Sequence, residues 1–202
     1  MLETVKMILE AKCVTTSPER LTELAKEALV WIRFEVAKNP NTLPEALLIL
    51  AKDRYSFVRA AVAKHPKATS AILKMLSKDK CSKVRAEVAQ HPNTSEKTLK
   101  KLTKDKTLLV RIKLASNVRL PVELLNELAE DEQYEVRIGV AGNPITPIEV
   151  LRKLFRDLDY MVREEVAKHV NATTDILSEL SNDRDWLISK YAKNNPNFVS
   201  EE

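Results

Sequence analysis

The sequence repeats itself every 26 residues, and this period constrains the fold more than any other feature of the chain. Asn-Pro or His-Pro pairs fall on the period, as at Asn39-Pro40 and His65-Pro66. An apolar residue followed by arginine keeps the same spacing, as in Val58-Arg59, and an acidic residue stands six positions before each such arginine. A unit this short cannot bury a core alone, so the repeats must stack on one another.

The residue pattern of each repeat predicts two short helices. Only 5% of the residues are aromatic and only 2 are glycine, a composition that favours helices over sheet. Leucines three apart, such as Leu47 and Leu50, predict the buried stripe of a first helix. The spacing Thr42–Glu45 predicts a capping box at its start. The second helix is predicted from about residue 55 to 64, because the residue before Pro66 is disfavoured in helical conformation.

These patterns predict an all-α fold: a right-handed α–α superhelix, or solenoid, of about seven two-helix repeats. We expect residues 1–202 to form a single solenoid domain, with the repeats in register from about 14 to 198. Residues 1–13 predict an N-terminal capping helix with Leu2, Val5, Ile8 and Leu9 on one face. The last repeat has Ser189 where the others have arginine, and is predicted to be an atypical C-terminal cap.

The arginine of each repeat is predicted to be buried. At 100° per residue from Val58, Val62 falls at about 40°, Arg59 at about 100° and Ala63 at about 140°, inside the apolar arc. A buried guanidinium is tolerable only when it is paired, and the aspartate six residues earlier is the expected partner. In a stack, each arginine is expected to bridge its own aspartate and that of the next repeat. The predicted structural ladder comprises Asp53, Arg59, Asp79, Arg85, Asp105, Arg111, Asp131, Arg137, Asp157 and Arg163.

The pattern Asp-x5-Arg between paired helices resembles HEAT repeats. The stretches EALLILAKD and SFVRAAVAKHP are similar to the leucine-rich repeat variant (LRV) family of bacterial proteins. The resemblance covers residues 14–198 and implies a helical solenoid that binds other macromolecules, since such folds share no common reaction. One type of LRV protein carries an N-terminal iron–sulfur cluster. Here only Cys13 lies near the N-terminus, so the resemblance implies no cofactor.

The sequence gives no sign of an enzyme or a metal site. A phosphate-binding glycine loop and a nucleophile elbow are both lacking, so no catalytic residue is assigned. His65, His91 and His169 share one position of the repeat, but asparagine fills the same position elsewhere, which favours a polar helix end over a metal ligand. No apolar run reaches the ~18 residues of a membrane span, and the two cysteines have no metal-type spacing. We therefore expect a cytoplasmic protein without cofactors and without membrane contact.

The outward positions of the second helices are half apolar, and they predict a binding groove. The candidate protein-binding residues are Trp31, Phe34, Phe57, Leu109, Ile112 and Ile138. Two alternatives remain open: these side chains are buried between neighbouring repeats, or the N-terminal helix covers the aromatic ones as a lid. The preferred prediction is a non-catalytic scaffold that presents a curved surface to a protein or peptide partner.

The alternative function is binding of nucleic acid or another polyanion. Residues 66–117 carry an excess of lysine and arginine over acidic residues, and phosphate-bearing partners dock on such regions. The candidate polyanion patch consists of Lys74, Lys78, Lys97, Lys100, Lys101 and Lys104. No aromatic residue lies between Phe57 and Tyr134 to stack on bases, which weakens single-stranded nucleic acid as the partner.

Overall fold

The computed structural model describes residues 2–199, which form fifteen α-helices and no β-strand. The helices are α1 Leu2–Lys12, α2 Pro18–Leu24, α3 Val30–Lys38, α4 Pro44–Leu50, α5 Ser56–Lys64, α6 Ser70–Leu76, α7 Ser82–Gln90, α8 Glu96–Leu102, α9 Leu108–Ala115, α10 Val122–Leu128, α11 Tyr134–Ala141, α12 Ile148–Leu154, α13 Tyr160–Lys168, α14 Thr174–Leu180 and α15 Trp186–Asn194. The predicted all-α repeat solenoid is confirmed. None of the helices in the described part of the chain has the length and apolar character needed to cross a membrane.

The chain divides into two compact units, residues 1–99 and 100–202. In the first unit the second helices form a row in which α1 packs on α3, α3 on α5 and α5 on α7, while α2, α4 and α6 pack beside them. In the second unit α9, α11, α13 and α15 form the corresponding row, with α10, α12 and α14 beside it. The prediction of a single domain and of a right-handed superhelix stays a prediction.

The core of each repeat comes from the residues that set the period. Leu47 and Leu50 of α4 are fully buried, as are Val58 and Val62 of α5, and the same positions are buried in the neighbouring repeats. First helices of seven residues and second helices of eight or nine are too short to be stable alone. Their stability therefore comes from burying this stripe against the helices on either side.

The predicted capping box at Thr42 is wrong. The Thr42 hydroxyl donates to the carbonyl oxygen of Val36 at 2.6 Å, and α4 begins after Leu43 with no side-chain cap. Thr146 makes the same bond to Val140 at 2.6 Å. These threonines close the turn onto the preceding second helix, because a carbonyl left over at that helix end needs a donor.

Helix α1 takes the place of a second helix. It packs on α3, and the Asn39 amide donates to the carbonyl oxygens of Ala11 and Cys13, at 2.9 Å each, in the manner of Asn143 farther along the chain. Most of the predicted apolar face is not packed against the chain, since Leu2, Val5 and Leu9 are 91%, 52% and 61% exposed and Ile8 alone is half-buried. The alternative in which α1 covers the aromatic residues as a lid is therefore wrong.

Candidate binding groove

An arginine–aspartate ladder joins successive second helices within each unit. The Arg59 Nε and Nη2 atoms donate to the two carboxylate oxygens of Asp79, at 2.5 and 2.8 Å. The same two-bond pairing joins Arg33 to Asp53 in the first unit and Arg111, Arg137 and Arg163 to Asp131, Asp157 and Asp183 in the second. Two parallel bonds fix the angle between neighbouring repeats, because the guanidinium is planar and its donors form a rigid fork.

The aspartate of the arginine's own repeat has a different role from the one expected. Its carboxylate is not the partner; instead the Arg59 Nη1 atom donates to the backbone carbonyl oxygen of Asp53, at 2.6 Å. Arg85 likewise donates to the carbonyl oxygen of Asp79, at 2.7 Å. Burial opposes ionisation of Asp79, but the Arg59 guanidinium and the Cys81 N–H outweigh it and hold the pKa of this carboxyl below its usual range.

The ring nitrogens of the buried histidines form hydrogen bonds with backbone groups. His65 is buried, its Nδ1 accepts from the Lys67 N–H at 3.1 Å, and its Nε2 lies 2.9 Å from the Asn39 carbonyl oxygen. Because Nδ1 accepts, the proton of the neutral ring sits on Nε2 and is donated to that carbonyl. His91 repeats the pattern one repeat later. Among residues 2–199 no three His, Cys, Asp or Glu side chains form a group able to hold a metal ion.

The predicted aromatic residues of the first unit form one cluster on α3 and α5. The ring centroids of Trp31 and Phe57 lie 5.5 Å apart, and those of Phe34 and Phe57 lie 5.4 Å apart. Tyr55 extends the cluster, with its ring 5.6 Å from that of Phe57. Trp31 is 56% exposed, and Phe57 and Tyr55 are also exposed. This cluster is therefore a surface feature and not part of the core.

A cavity of about 600 Å³ opens beside the cluster, between α3, α5 and α7. Helix α5 lies in the middle of the three and contributes Phe57, Ala60 and Ala61. Ala60 stands 26 residues after Phe34, so the side chain at this position shrinks from a benzyl to a methyl group and leaves space. We call this cavity, with the rings of Trp31, Phe34 and Phe57, the aromatic groove.

Charged side chains border the aromatic groove. Lys38 lies 3.3 Å from Glu35 and its ammonium sits 5.1 Å from the centre of the Phe34 ring. Lys64 pairs with Glu87 at 3.2 Å, whereas Lys83 makes no ion pair within the described chain. The lysines are the more exposed partners, at 53% for Lys38 and 66% for Lys64, against 17% for Glu35 and 24% for Glu87. The mouth of the groove is therefore positive.

The other predicted groove residues lie in the second unit. Leu109 and Ile112 are on α9 and Ile138 is on α11, with Leu109 exposed and the two isoleucines half-buried. Neither ring clusters nor a cavity comparable to the aromatic groove accompany them in the described part of this unit. The structure thus brings together Trp31, Phe34 and Phe57 within the first unit, and the inclusion of Leu109, Ile112 and Ile138 in one groove with them stays a prediction.

The predicted polyanion patch is exposed but divided between the units. Lys74, Lys78 and Lys97 belong to the first unit, and Lys100, Lys101 and Lys104 to the second. Lys74 and Lys97 lie on first helices, on the opposite side of each repeat from the second-helix row. Their action as one surface stays a prediction.

Sequence reasoning missed part of the groove. Tyr55 precedes α5 and lies outside the predicted outward positions. Ala60 and Lys83 stand at those positions, but a methyl group and an ammonium give no sign of an apolar groove. Cys81 lines the cavity at the start of α7. Burial opposes ionisation of its thiol, but the N–H groups of Lys83 and Val84 and the Ser56 side chain lower its pKa.

Comparison with known proteins identifies the repeat type. Neither a protein-family model nor a curated protein matches the sequence. A solved structure described as a leucine-rich repeat variant with a novel repetitive structural motif aligns with 89% of this chain and 72% of its own, with a TM-score of 0.67 and 29% identity. The resemblance to the leucine-rich repeat variants is confirmed. The YibA protein of Escherichia coli shares the fold at 16% identity, with a TM-score of 0.52, over 88% of this chain and 80% of its own.

The repeat accounts for the buried leucines and for the ladder, which recur at the 26-residue period as far as Arg163. It does not account for the aromatic groove, which among residues 2–199 lies only in the first unit. The aromatic groove is therefore a departure from the repeat pattern.

Proposed function

We propose that the chain is a non-catalytic scaffold that binds a protein or peptide partner in the aromatic groove. The observation that carries this proposal is the cluster of exposed Trp31 and Phe57 with half-buried Phe34, beside a cavity of about 600 Å³. Exposed aromatic residues next to a pocket and a charged rim are typical of the residues that dominate binding energy at interfaces.

The ladder supports the proposal because it holds the groove in one shape. Arg33 and Arg59 each fasten their second helix to the following repeat, and these are the helices α3 and α5 that carry the rings. A partner that binds a preformed surface avoids the entropic cost of ordering it. The fold neighbours are repeat proteins, which is consistent with a scaffold.

The test is capture of partners from the native host by the full chain, with Trp31→Ala compared with Trp186→Ala. Trp186 is the matched control, because it is also exposed, at 71%, but lies on α15 of the second unit. We expect the wild type and Trp186→Ala to retain the same proteins and Trp31→Ala to lose them. Equal capture by all three would contradict the proposal.

The polyanion alternative predicts a different salt dependence. Binding through phosphates weakens steeply as salt rises, whereas binding in an apolar groove does not. If retention on duplex DNA or heparin at moderate salt is lost when the patch lysines become glutamate, and Trp31→Ala leaves it unchanged, the lysines and not the groove carry the function.

A further inference from the structure

We propose that the occupant of the aromatic groove is a peptide segment with an apolar side chain and a carboxylate close to it. The inference rests on the proposed function and names the chemistry of the partner. Its two elements come from separate observations, the space beside Ala60 and the arrangement of charge at the mouth.

The space beside Ala60 fits an apolar anchor. A cavity of about 600 Å³ lies within the range of sites that enclose a ligand group, roughly 300–1,000 Å³. Phe34, Phe57 and Ala61 line it with carbon, so an apolar side chain that enters is removed from water, which favours binding. The exposed faces of Trp31 and Tyr55 continue the apolar surface beyond the cavity, so contact extends along a chain and is not confined to one small molecule.

The mouth selects a carboxylate by its charge. Lys38 and Lys64 are 53% and 66% exposed, against 17% and 24% for Glu35 and Glu87, the glutamates that pair with them. Lys83 is also exposed, lines the same cavity and makes no ion pair within residues 2–199. Three lysines and one glutamate therefore line the cavity, and such an excess of positive charge favours negative partners and disfavours positive ones.

A cationic peptide is the competing occupant, since aromatic faces attract ammonium groups. The Phe34 face is already occupied by Lys38 of the chain itself, at 5.1 Å. A second cation at this ring would face Lys38 and Lys64 at close range. The same residues that make the groove aromatic thus make it unsuited to lysine-bearing peptides.

The experiment selects displayed random peptides on the full chain and compares their binding to matched variants. Ala60→Phe fills the cavity from a half-buried position, and Ala71→Phe makes the same change at an exposed position of α6, outside the groove. We expect enriched peptides to combine a large apolar residue with Asp or Glu within a few positions. Their affinity should fall roughly 30-fold on Ala60→Phe, the loss typical of an interface hot spot, and stay unchanged on Ala71→Phe.

Charge is tested with Lys83→Glu against Lys52→Glu, an identical change at an exposed lysine that follows α4, outside both the groove and the candidate polyanion patch. We expect about fivefold weaker binding for Lys83→Glu and no change for Lys52→Glu, as for the loss of an exposed ion pair. The selected peptide should also slow alkylation of Cys81, which lines the cavity, and leave exposed Cys13 unaffected as an internal control.

Peptides that bind Ala60→Phe as well as the wild type, or no enrichment at all, would overturn the inference. So would enrichment of lysine and arginine, or equal binding to Lys83→Glu and Lys52→Glu. These failures are distinct from that of the proposed function: if Trp31→Ala loses its host partners while the peptides ignore Lys83→Glu, the groove binds but its preference for acid is wrong.

Discussion

At the scale of single residues, Arg59 explains how a charge is accommodated in the stack. Its Nε and Nη2 atoms bond the Asp79 carboxylate, and its Nη1 atom bonds the carbonyl oxygens of Asp53 and Arg54. The side chains of Arg59 and Asp79 are only 9% and 7% exposed. A buried pair of this kind is costly to break, because one partner alone leaves an uncompensated charge.

We therefore predict that Arg59→Leu lowers the free energy of unfolding by about 3–5 kcal/mol, measured by urea denaturation. The double variant Arg59→Leu/Asp79→Asn should recover part of this loss, because the amide that replaces the carboxylate carries no charge and its oxygen can still accept from the Cys81 N–H. Arg85→Leu would leave the Asp79 carboxylate paired, since its partner is Arg59, whereas Arg85 donates to the backbone carbonyl oxygen of Asp79. An unfolding free energy for Arg59→Leu within about 0.5 kcal/mol of the wild type would show that the ladder adds no stability.

His65 and His91 make stability depend on pH. Burial lowers the pKa of both rings from the ordinary value of 6.5, because it disfavours the charged form, and the bonds to the carbonyl oxygens of Asn39 and His65 oppose this only in part. Below pH 6.5 the unfolded chain binds protons that the native rings do not bind. The contribution of the two rings to the free energy of unfolding is therefore complete above pH 6.5 and is lost progressively below it. We predict that the wild type is less stable at pH 5 than at pH 7, measured by urea unfolding.

Asparagine provides the control for this prediction. Asn39 and Asn143 occupy the same position of the repeat and make the same kinds of backbone bond without a titratable group. His65→Asn/His91→Asn should fold and lose less stability than the wild type between pH 7 and pH 5. An equal loss in both proteins would assign the acid sensitivity to other groups.

At the scale of helices, Gly139 sets the distance between α9 and α11. A Cβ at this position would lie 2.9 Å from the Cβ of Ala115, closer than two carbon atoms approach. Gly139→Ala should therefore lower the melting temperature, through an overpacking cost of about 1–3 kcal/mol that exceeds the gain in helix propensity. Gly142→Ala is the matched change, since its Cβ would lie 3.1 Å from the flexible end of Glu165 and at an ordinary contact distance, 3.4 Å, from the Ile138 carbonyl oxygen. Equal effects of the two would contradict close packing at Gly139.

The helices could be predicted from the sequence because the residues that end a helix or form its buried stripe recur at the same positions of the repeat. Proline after His65 ends α5, and leucines three apart give the buried stripe of α4. The direction of individual hydrogen bonds did not follow from the spacing. The Thr42 hydroxyl lies between the end of α3, which has a free carbonyl oxygen, and the start of α4, which has a free N–H. Only the turn geometry decides that it donates to the carbonyl oxygen of Val36.

At the scale of the whole molecule, the rings of the groove were predictable and the cavity was not. Trp31, Phe34 and Phe57 followed from projecting a helix whose register the repeat had set. The cavity depends on the volume missing at Ala60 between two neighbouring helices, which a single-helix projection does not contain. The exposure of Leu2, Val5 and Leu9 on α1 was missed for the same reason, since it depends on which side of α1 packs against α3.

Hydroxyl-radical footprinting of the full chain, with and without a partner captured from the host, tests the central claim most directly. Aromatic side chains react readily, and the chain carries an internal control in Trp186, which lies in the second unit. We predict that bound partner slows oxidation of Trp31, Tyr55 and Phe57 and leaves Trp186 unchanged. Oxidation of Trp31 and Phe57 at the same rate with and without bound partner would contradict the assignment of the aromatic groove as the binding site.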